Sequence, residues 1–492
     1  MKRFVYAADE KKLKQAAEII FYLFVFAAIA CFAMLQTYGD PPDEINRFKV
    51  VNYIRNHGRL PHGADPEVIL SGYGASYAFQ PILTYIIQGY LLRFLGMFTS
   101  DGYILLLAAR MVNVCLGVLM AYFVRGIAKE AWKSPYIQWT FTLLVVFLPQ
   151  NIFIHSYVNT DSMAMLSVAI IFYAVLHAQK TGYDKKDCIL LAIGIILCAM
   201  SYYNAYGIIL AAILIFAINY VHTRYSNGQG EERKRLTVEW REMVRKGSLI
   251  SVIVLLGIGW WFIRNAVLYD GDIIAMSARL KCAIETAAPD YNPLTRFTYQ
   301  KAGIPLKEML FETGYVTLLR DSFIAMFGPM RIPTHGLIYL FYKYLWIIAC
   351  AIALLPIKPI KAEGMSVWKA DRAPDRKNIV VFYACMTLFC IITVALSVYY
   401  SYTWEFQPQG RYILPVLIPF MYLVTLGIQK VCILLERIAA YNAGGRVLGK
   451  MLCLGVMAYV MLAFAYSLFN RFIPHYLEGE NMLSMYGKIF IP

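Results

Sequence analysis

Apolar residues run on for roughly the 20 positions that cross a bilayer core in eleven stretches: 16–37, 103–127, 136–150, 154–178, 187–201, 204–222, 248–269, 337–356, 379–400, 411–436 and 447–470. None alternates with the period of two that marks a barrel strand. Spanning structures must satisfy their backbone internally, so this pattern predicts an all-α polytopic membrane protein of about eleven transmembrane helices. The first run is too long for a signal-peptide core and no small-residue cleavage site follows it, so it reads as an uncleaved anchor. A twelfth stretch, 80–98, is apolar but broken by Gln80, Pro81, Gln88 and Arg93.

Composition agrees. Of 492 residues, 59% are hydrophobic and 16% charged, with mean hydropathy +0.54, which excludes a soluble globular enzyme and a disordered chain. The net charge of +15 would point to nucleic acid in a soluble protein; here it is a statement about topology, and no nucleic-acid partner is expected. If 80–98 lies flat at the surface, one set of loops carries 27 Lys and Arg and the other 14. If it crosses, the basic N-terminus opposes the basic loops. The segment is therefore read as interfacial, with a cytoplasmic N-terminus in the plasma (inner) membrane. Two large outer segments follow, 38–101 and 270–336, within a single integral domain over 1–492. The ten Cys include no CxxC and no pair sharing an outer loop, which argues against a disulfide framework or zinc site. His57 and His62 near Asp65 match no known metal-ligand spacing.

Ionisable side chains inside spans are costly and point to function. Arg110, Arg264, Lys343 and Arg411 all fall within about two turns of the outer face by this topology, and Asp161 lies at a similar depth. Together they would make an anion-binding pocket. Lys430 lies toward the inner face and is expected to snorkel. The first outer segment opens Pro41-Pro42-Asp43-Glu44. Its structural reading is an N-cap at Asp43 with Glu44 in the first turn of a helix that stops at Gly58. Its functional reading is a carboxylate pair just outside the membrane.

These pieces resemble the GT-C superfamily of membrane glycosyltransferases, and within it the protein O-mannosyltransferases, the lipid A aminoarabinose transferases and related bacterial membrane proteins. PPDEINRF resembles the first-loop Asp-Glu motif, and FQPILTYII the Pro-containing helix that follows it. ARMVN (Arg110, Asn113), PQNIFIHSYVNTD (Asn159, Asp161), WWFIRNAVLYDGD (Arg264, Asn265) and QPQGRYILPVLIP (Gln409, Arg411, Tyr412) resemble later outer-face motifs in the same order. Gln80-Pro81-Ile82 departs from the family by lacking a Lys or Arg before its proline.

The resemblance implies a polyprenyl-phosphate sugar donor, Asp43 as general base toward an acceptor hydroxyl, and inversion through a single displacement. It implies Arg264, Arg411 and Arg47, with Arg110 and Lys343 behind them, as cations for the leaving lipid phosphate. Glu44 would orient the acceptor or tune Asp43. Asp161 would brace an arginine, with Asn159, Asn265, Gln409 and Tyr412 in support. Fixed cations could replace a divalent metal, so no cofactor is expected. The acceptor class stays open between glycan, lipid and protein. Two other readings fit many helices and embedded charges: a flippase or transporter of lipid-linked sugars, and an O-antigen polymerase or ligase. The Asp-Glu pair in the first outer segment is unexplained by a flippase.

Overall fold

The computed structural model describes residues 2–228, 231–357, 376–438 and 445–477. Among them, eight helices are long and apolar enough to cross a membrane: Lys12–Leu35, Gly102–Ala131, Asp161–Thr181, Trp240–Leu268, Gly336–Leu354, Lys377–Thr403, Gly410–Arg437 and Val447–Leu477. The other three expected spans are shorter helices, Pro135–Val146, Lys185–Ala199 and Gly207–Asn219. Most of the stretch between the expected spans 337–356 and 379–400, and the tail from residue 478, lie outside the described residues.

Local chemistry sets the helix ends. Asp101 accepts from the backbone N–H groups of Tyr103 and Ile104 and opens Gly102–Ala131. Asp184 and Asp187 cap each other's ends of Lys185–Ala199 reciprocally. Gly58 and Gly182 stop their helices in the left-handed conformation.

The expected spans 136–150 and 154–178 are rearranged. Pro135–Val146 ends early, Pro149 starts a six-residue helix to Ile154, and the long helix begins only at Asp161. Residues 155–160 form a buried turn. Irregular backbone at membrane depth survives only where protein satisfies it. Here Asn159 Nδ2 donates to the carbonyls of Ile154 (2.6 Å) and Tyr157 (2.9 Å), and Asn113 Nδ2 donates to the Asn159 carbonyl (3.0 Å). Gln88 Nε2 donates to Asn113 Oδ1 (2.6 Å) and ties the surface segment to the same point.

The 80–98 stretch becomes the helix Leu83–Leu95. One face, with Tyr85 and Leu92, is buried, partly against Glu44–His57; the other exposes Ile87, Tyr90 and Phe94. That two-faced surface is the form an interfacial helix takes. The helix Asp161–Thr181 runs through the centre, almost wholly buried, whereas Trp240–Leu268 exposes Leu255, Leu256 and Val267 on an apolar outer face. The basic 223–247 loop contains structure not foreseen in its composition: strands Val221–Gly228 and Glu231–Val238 pair as an antiparallel hairpin.

Residues 36–44, 155–161, 402–411 and 468–477 meet at one end of the helices. Gln36 Nε2 donates to the Ser156 carbonyl (2.7 Å) and Tyr476 donates to Asp40 there.

Candidate active site

At that end the 38–101 segment leaves the first span and turns at Asp43. Asp43 sits at the start of Glu44–His57 with φ 62° and ψ 8°, and its side chain caps nothing. The N-cap expected from Pro-Pro-Asp-Glu is thus replaced by something else. A non-glycine residue in left-handed backbone costs about 1–3 kcal/mol and persists only where its surroundings enforce it. Here they are charges. Arg411 Nη2 donates to Asp43 Oδ2 at 2.6 Å, and Arg47 Nη2 lies 4.0 Å from the same oxygen. The Tyr77 hydroxyl nearby also favours the charged carboxylate. Burial pushes this carboxyl up, but the Arg411 and Arg47 guanidiniums together outweigh it and hold it at about 2. About a third of the Asp43 side chain remains open (34%).

Both arginines are locked from behind. Arg47 Nη1 donates to Asp161 Oδ2 at 2.8 Å, and both partners are buried. Arg411 Nη2 also donates to the Tyr412 hydroxyl (3.0 Å). Gly410 fixes where Arg411 can stand, since its backbone lies so close to the Tyr315–Ile324 helix that an added Cβ would be 2.1 Å from Phe323 N. The Nε–H groups of Arg47 and Arg411, the Tyr157 hydroxyl and Gln409 Oε1 are buried without a hydrogen-bond partner among the described residues. A buried polar group left unpaired carries a desolvation penalty. Two buried guanidiniums thus keep unpaired Nε donors next to one partly open carboxylate.

The other expected residues are placed differently. Glu44, 1% exposed, accepts from Arg110 Nε (2.8 Å) and the Val158 N–H (3.1 Å) on one oxygen, and from Arg110 Nη2 (2.6 Å) and the Gly39 N–H (3.3 Å) on the other. Arg110 donates further to the carbonyls of Ala33, Gln36 and Thr37. A carboxylate has about four acceptor sites and a guanidinium five donors, so this pair is saturated. Glu44 therefore cannot orient an acceptor as it stands, and Arg110 is no part of a phosphate pocket; together they weld the first span to the Gly102–Ala131 helix.

Arg264 donates to the Pro61 carbonyl (2.5 Å) and has no carboxylate partner among the described residues. It lines a separate cleft of about 490 Å³ with Tyr53, Arg59, His62 and Asp65. Asn265 Nδ2 ties the end of the same helix to Ile273 (3.2 Å). Lys343 lies over the Tyr344 ring at 5.4 Å, on the Gly336–Leu354 helix, away from Asp43's contacts. His57 pairs with Glu67 at 3.0 Å, while His62 packs on Tyr269. Of the four cations expected together, Arg411 alone pairs with Asp43, where Arg47 joins it, while Arg110, Arg264 and Lys343 are placed elsewhere. Tyr157, unremarkable among 37 tyrosines, is the site residue that sequence reasoning missed.

Among solved structures, the chain is similar to the oligosaccharyltransferase AglB of Archaeoglobus fulgidus in complex with an inhibitory peptide and a dolichol-phosphate. The identity is 13% and the TM-score 0.43, over 92% of this chain and 56% of that one, so the chain spans only about half that enzyme's length. It is likewise similar to ArnT of Cupriavidus metallidurans bound to undecaprenyl phosphate, at 11% identity and TM-score 0.47, over 96% of this chain and 75% of that one. No protein of curated function matches it. Residues 14–420, most of the chain, match the family described as "Predicted membrane protein (DUF2142)", and the chain belongs to that family.

Proposed function

We propose that this protein is an inverting glycosyltransferase of the GT-C type. It would move a sugar from a polyprenyl-phosphate donor to an acceptor hydroxyl at the outer face of the plasma membrane. The observation that carries the reading is Asp43, held in left-handed backbone 2.6 Å from Arg411 and 4.0 Å from Arg47, with bare guanidinium donors beside it. The order of the outer-face motifs along the chain supports it.

In this reading the acceptor oxygen attacks the anomeric carbon while its proton passes to an Asp43 oxygen. The new C–O bond forms as the bond from that carbon to the phosphate oxygen breaks. The donor is a singly charged phosphodiester and the product a lipid monophosphate with more negative charge. Fixed cations stabilise that increase. Arg411 and Arg47 are assigned this role because they border the base. Arg264 and Lys343 share no contact with it and are not. Sharing the arginines with phosphate would also free Asp43, which is a poor base while both hold it.

Asp43→Asn keeps size and removes the proton acceptor. A radiolabelled polyprenyl-phosphate sugar assay on purified protein should show turnover falling at least about a hundredfold with donor binding retained. Turnover equal to wild type in folded Asp43→Asn would defeat the assignment. Activity is expected to survive a metal chelator, because two guanidiniums supply the positive charge at the phosphate; full loss with EDTA, restored by magnesium or manganese, would contradict that.

A further inference from the structure

Beside Asp43 lies a rim of side chains that the reaction as proposed does not use. Three segments build it. Residues 70–74 and 282–288 are clamped together, since Cys282 and Thr286 both donate to the Gly74 carbonyl and the Ala288 N–H donates to that of Gly72 (2.9 Å). Gly72, at φ +81°, leaves its open face to the Tyr291 ring. The third segment, 400–407, is tied on by the Gln300 N–H donating to the Tyr402 carbonyl (3.2 Å) and the Tyr402 hydroxyl donating to that of Ile304 (3.0 Å).

On this frame Tyr73 and Tyr291 stand with ring centroids 4.4 Å apart, and the Tyr73 hydroxyl donates to Glu405 Oε1 (3.2 Å). The Arg296 guanidinium carbon lies over the Trp404 ring, 4.1 Å from its centre, and its Nη1 is 4.0 Å from the other Glu405 oxygen. Tyr73, Tyr291 and Trp404 are exposed, yet Arg296 is 91% buried and its Nη2 has no hydrogen-bond partner among the described residues. The rim is joined to the site along the chain: Tyr73 precedes Tyr77, whose ring centre lies 5.5 Å from the Arg47 guanidinium, and Glu405 precedes Arg411, which pairs with Asp43.

Tyr and Trp in a membrane-interface belt set their amphipathic rings at the headgroup level and need no partner carboxylate or guanidinium to do so. Here the rings are linked through one carboxylate, and a planar guanidinium sits beside it with a bare donor. Glu405 and Arg296 balance each other in charge, so the rim exerts no net pull on an anionic headgroup. A pyranose matches the set: its C–H faces lie on aromatic rings while its vicinal hydroxyls pair with a carboxylate and a guanidinium, each a charge-assisted contact.

Resting on the glycosyltransferase reading, we infer that Tyr73, Tyr291, Arg296, Trp404 and Glu405 form the acceptor subsite and that the acceptor is a saccharide chain. The test uses the full chain in nanodiscs, titrated with gluco-, manno- and galacto-oligosaccharides of two to six residues. A Ser/Thr-containing peptide and undecaprenyl phosphate are titrated in parallel. At least one oligosaccharide series should bind, and Trp404→Ala and Arg296→Gln should each weaken it by about tenfold or more, the loss expected for a charged hydrogen bond or stacked ring. Undecaprenyl phosphate binding should be unchanged in both variants. Tyr291→Ala, on an exposed ring, serves should Arg296→Gln fail to fold. Binding of no oligosaccharide, binding indifferent to the variants, or binding of the peptide instead would overturn the inference. Oligosaccharide binding alongside no affinity for undecaprenyl phosphate would instead count against the donor reading and leave the saccharide site standing.

Discussion

Asp43 is a carboxylate whose proton affinity is set by two neighbours. With the folded value near 2, below the ordinary carboxylate range, its ionised form is favoured by folding. That contribution is complete above the unfolded value, about 3.9, and is lost as pH falls through about 2. The free enzyme therefore keeps Asp43 ionised throughout the usable range. A bound donor phosphate divides the arginines' charge and adds its own, so the affinity of Asp43 for a proton rises in the complex. Because kcat reports the complex and kcat/KM the free enzyme, the acid limb of kcat should lie at higher pH than that of kcat/KM. Coincident limbs would show that the phosphate does not share Asp43's arginines. Arg411→Lys keeps the charge but loses the planar fork, so donor affinity should fall well below wild type; unchanged affinity would remove Arg411 from the phosphate site. The sequence made Asp43, Arg47 and Arg411 visible as charges near one face, but it could not tell them from Arg110, Arg264 and Lys343. Position along a helix gives depth, whereas the direction a side chain takes around the helix is fixed by which helices pack beside it. Arg110 meets Glu44, Arg264 meets the Pro61 carbonyl, and only Arg411 and Arg47 turn to Asp43.

Helices here are held by contacts between backbones as much as between side chains. Between helices in lipid there is little hydrophobic drive, so small residues that allow close approach matter most. Gly427, on Leu417–Ile438, would put a Cβ 1.9 Å from the Ala349 carbonyl oxygen on Gly336–Leu354. Gly427→Ala should destabilise by about 1–3 kcal/mol, read as a lower unfolding temperature in detergent. Gly410→Ala, with its contact to the Phe323 backbone, should move Arg411 and reduce donor affinity although no charge is altered. Gly455 has nothing within 4 Å of its added Cβ, so Gly455→Ala is the control expected to change neither. Equal effects from all three would show that close approach is not what these glycines provide. The apolar runs made nearly every long helix legible, because a span is a local property. The break at 147–160 was not, since its turn depends on Asn113 and Gln36, donors that other helices bring to it.

Viewed whole, the molecule places every contact of Asp43, Arg47 and Arg411 at one end, and the 221–238 hairpin, which leads straight into the far end of Trp240–Leu268, at the other. Geometry alone gives two ends and no membrane sides; the excess of Lys and Arg, 27 against 14, supplies the sides. If the hairpin end is cytoplasmic, the Asp43 site and the Tyr73–Trp404 rim face outward, where a polyprenyl-linked donor would present its sugar. All ten native cysteines are free, so labelling requires a cysteine-free background. In that background a cysteine at Asp290, exposed in the 270–336 segment, should react with a membrane-impermeant maleimide on intact spheroplasts. One at Gly228, at the tip of the hairpin, should react only after permeabilisation. The reverse pattern would put the base and its arginines in the cytoplasm. It would end the outer-face reading of the reaction, while leaving the pairing of Asp43 with Arg411 intact.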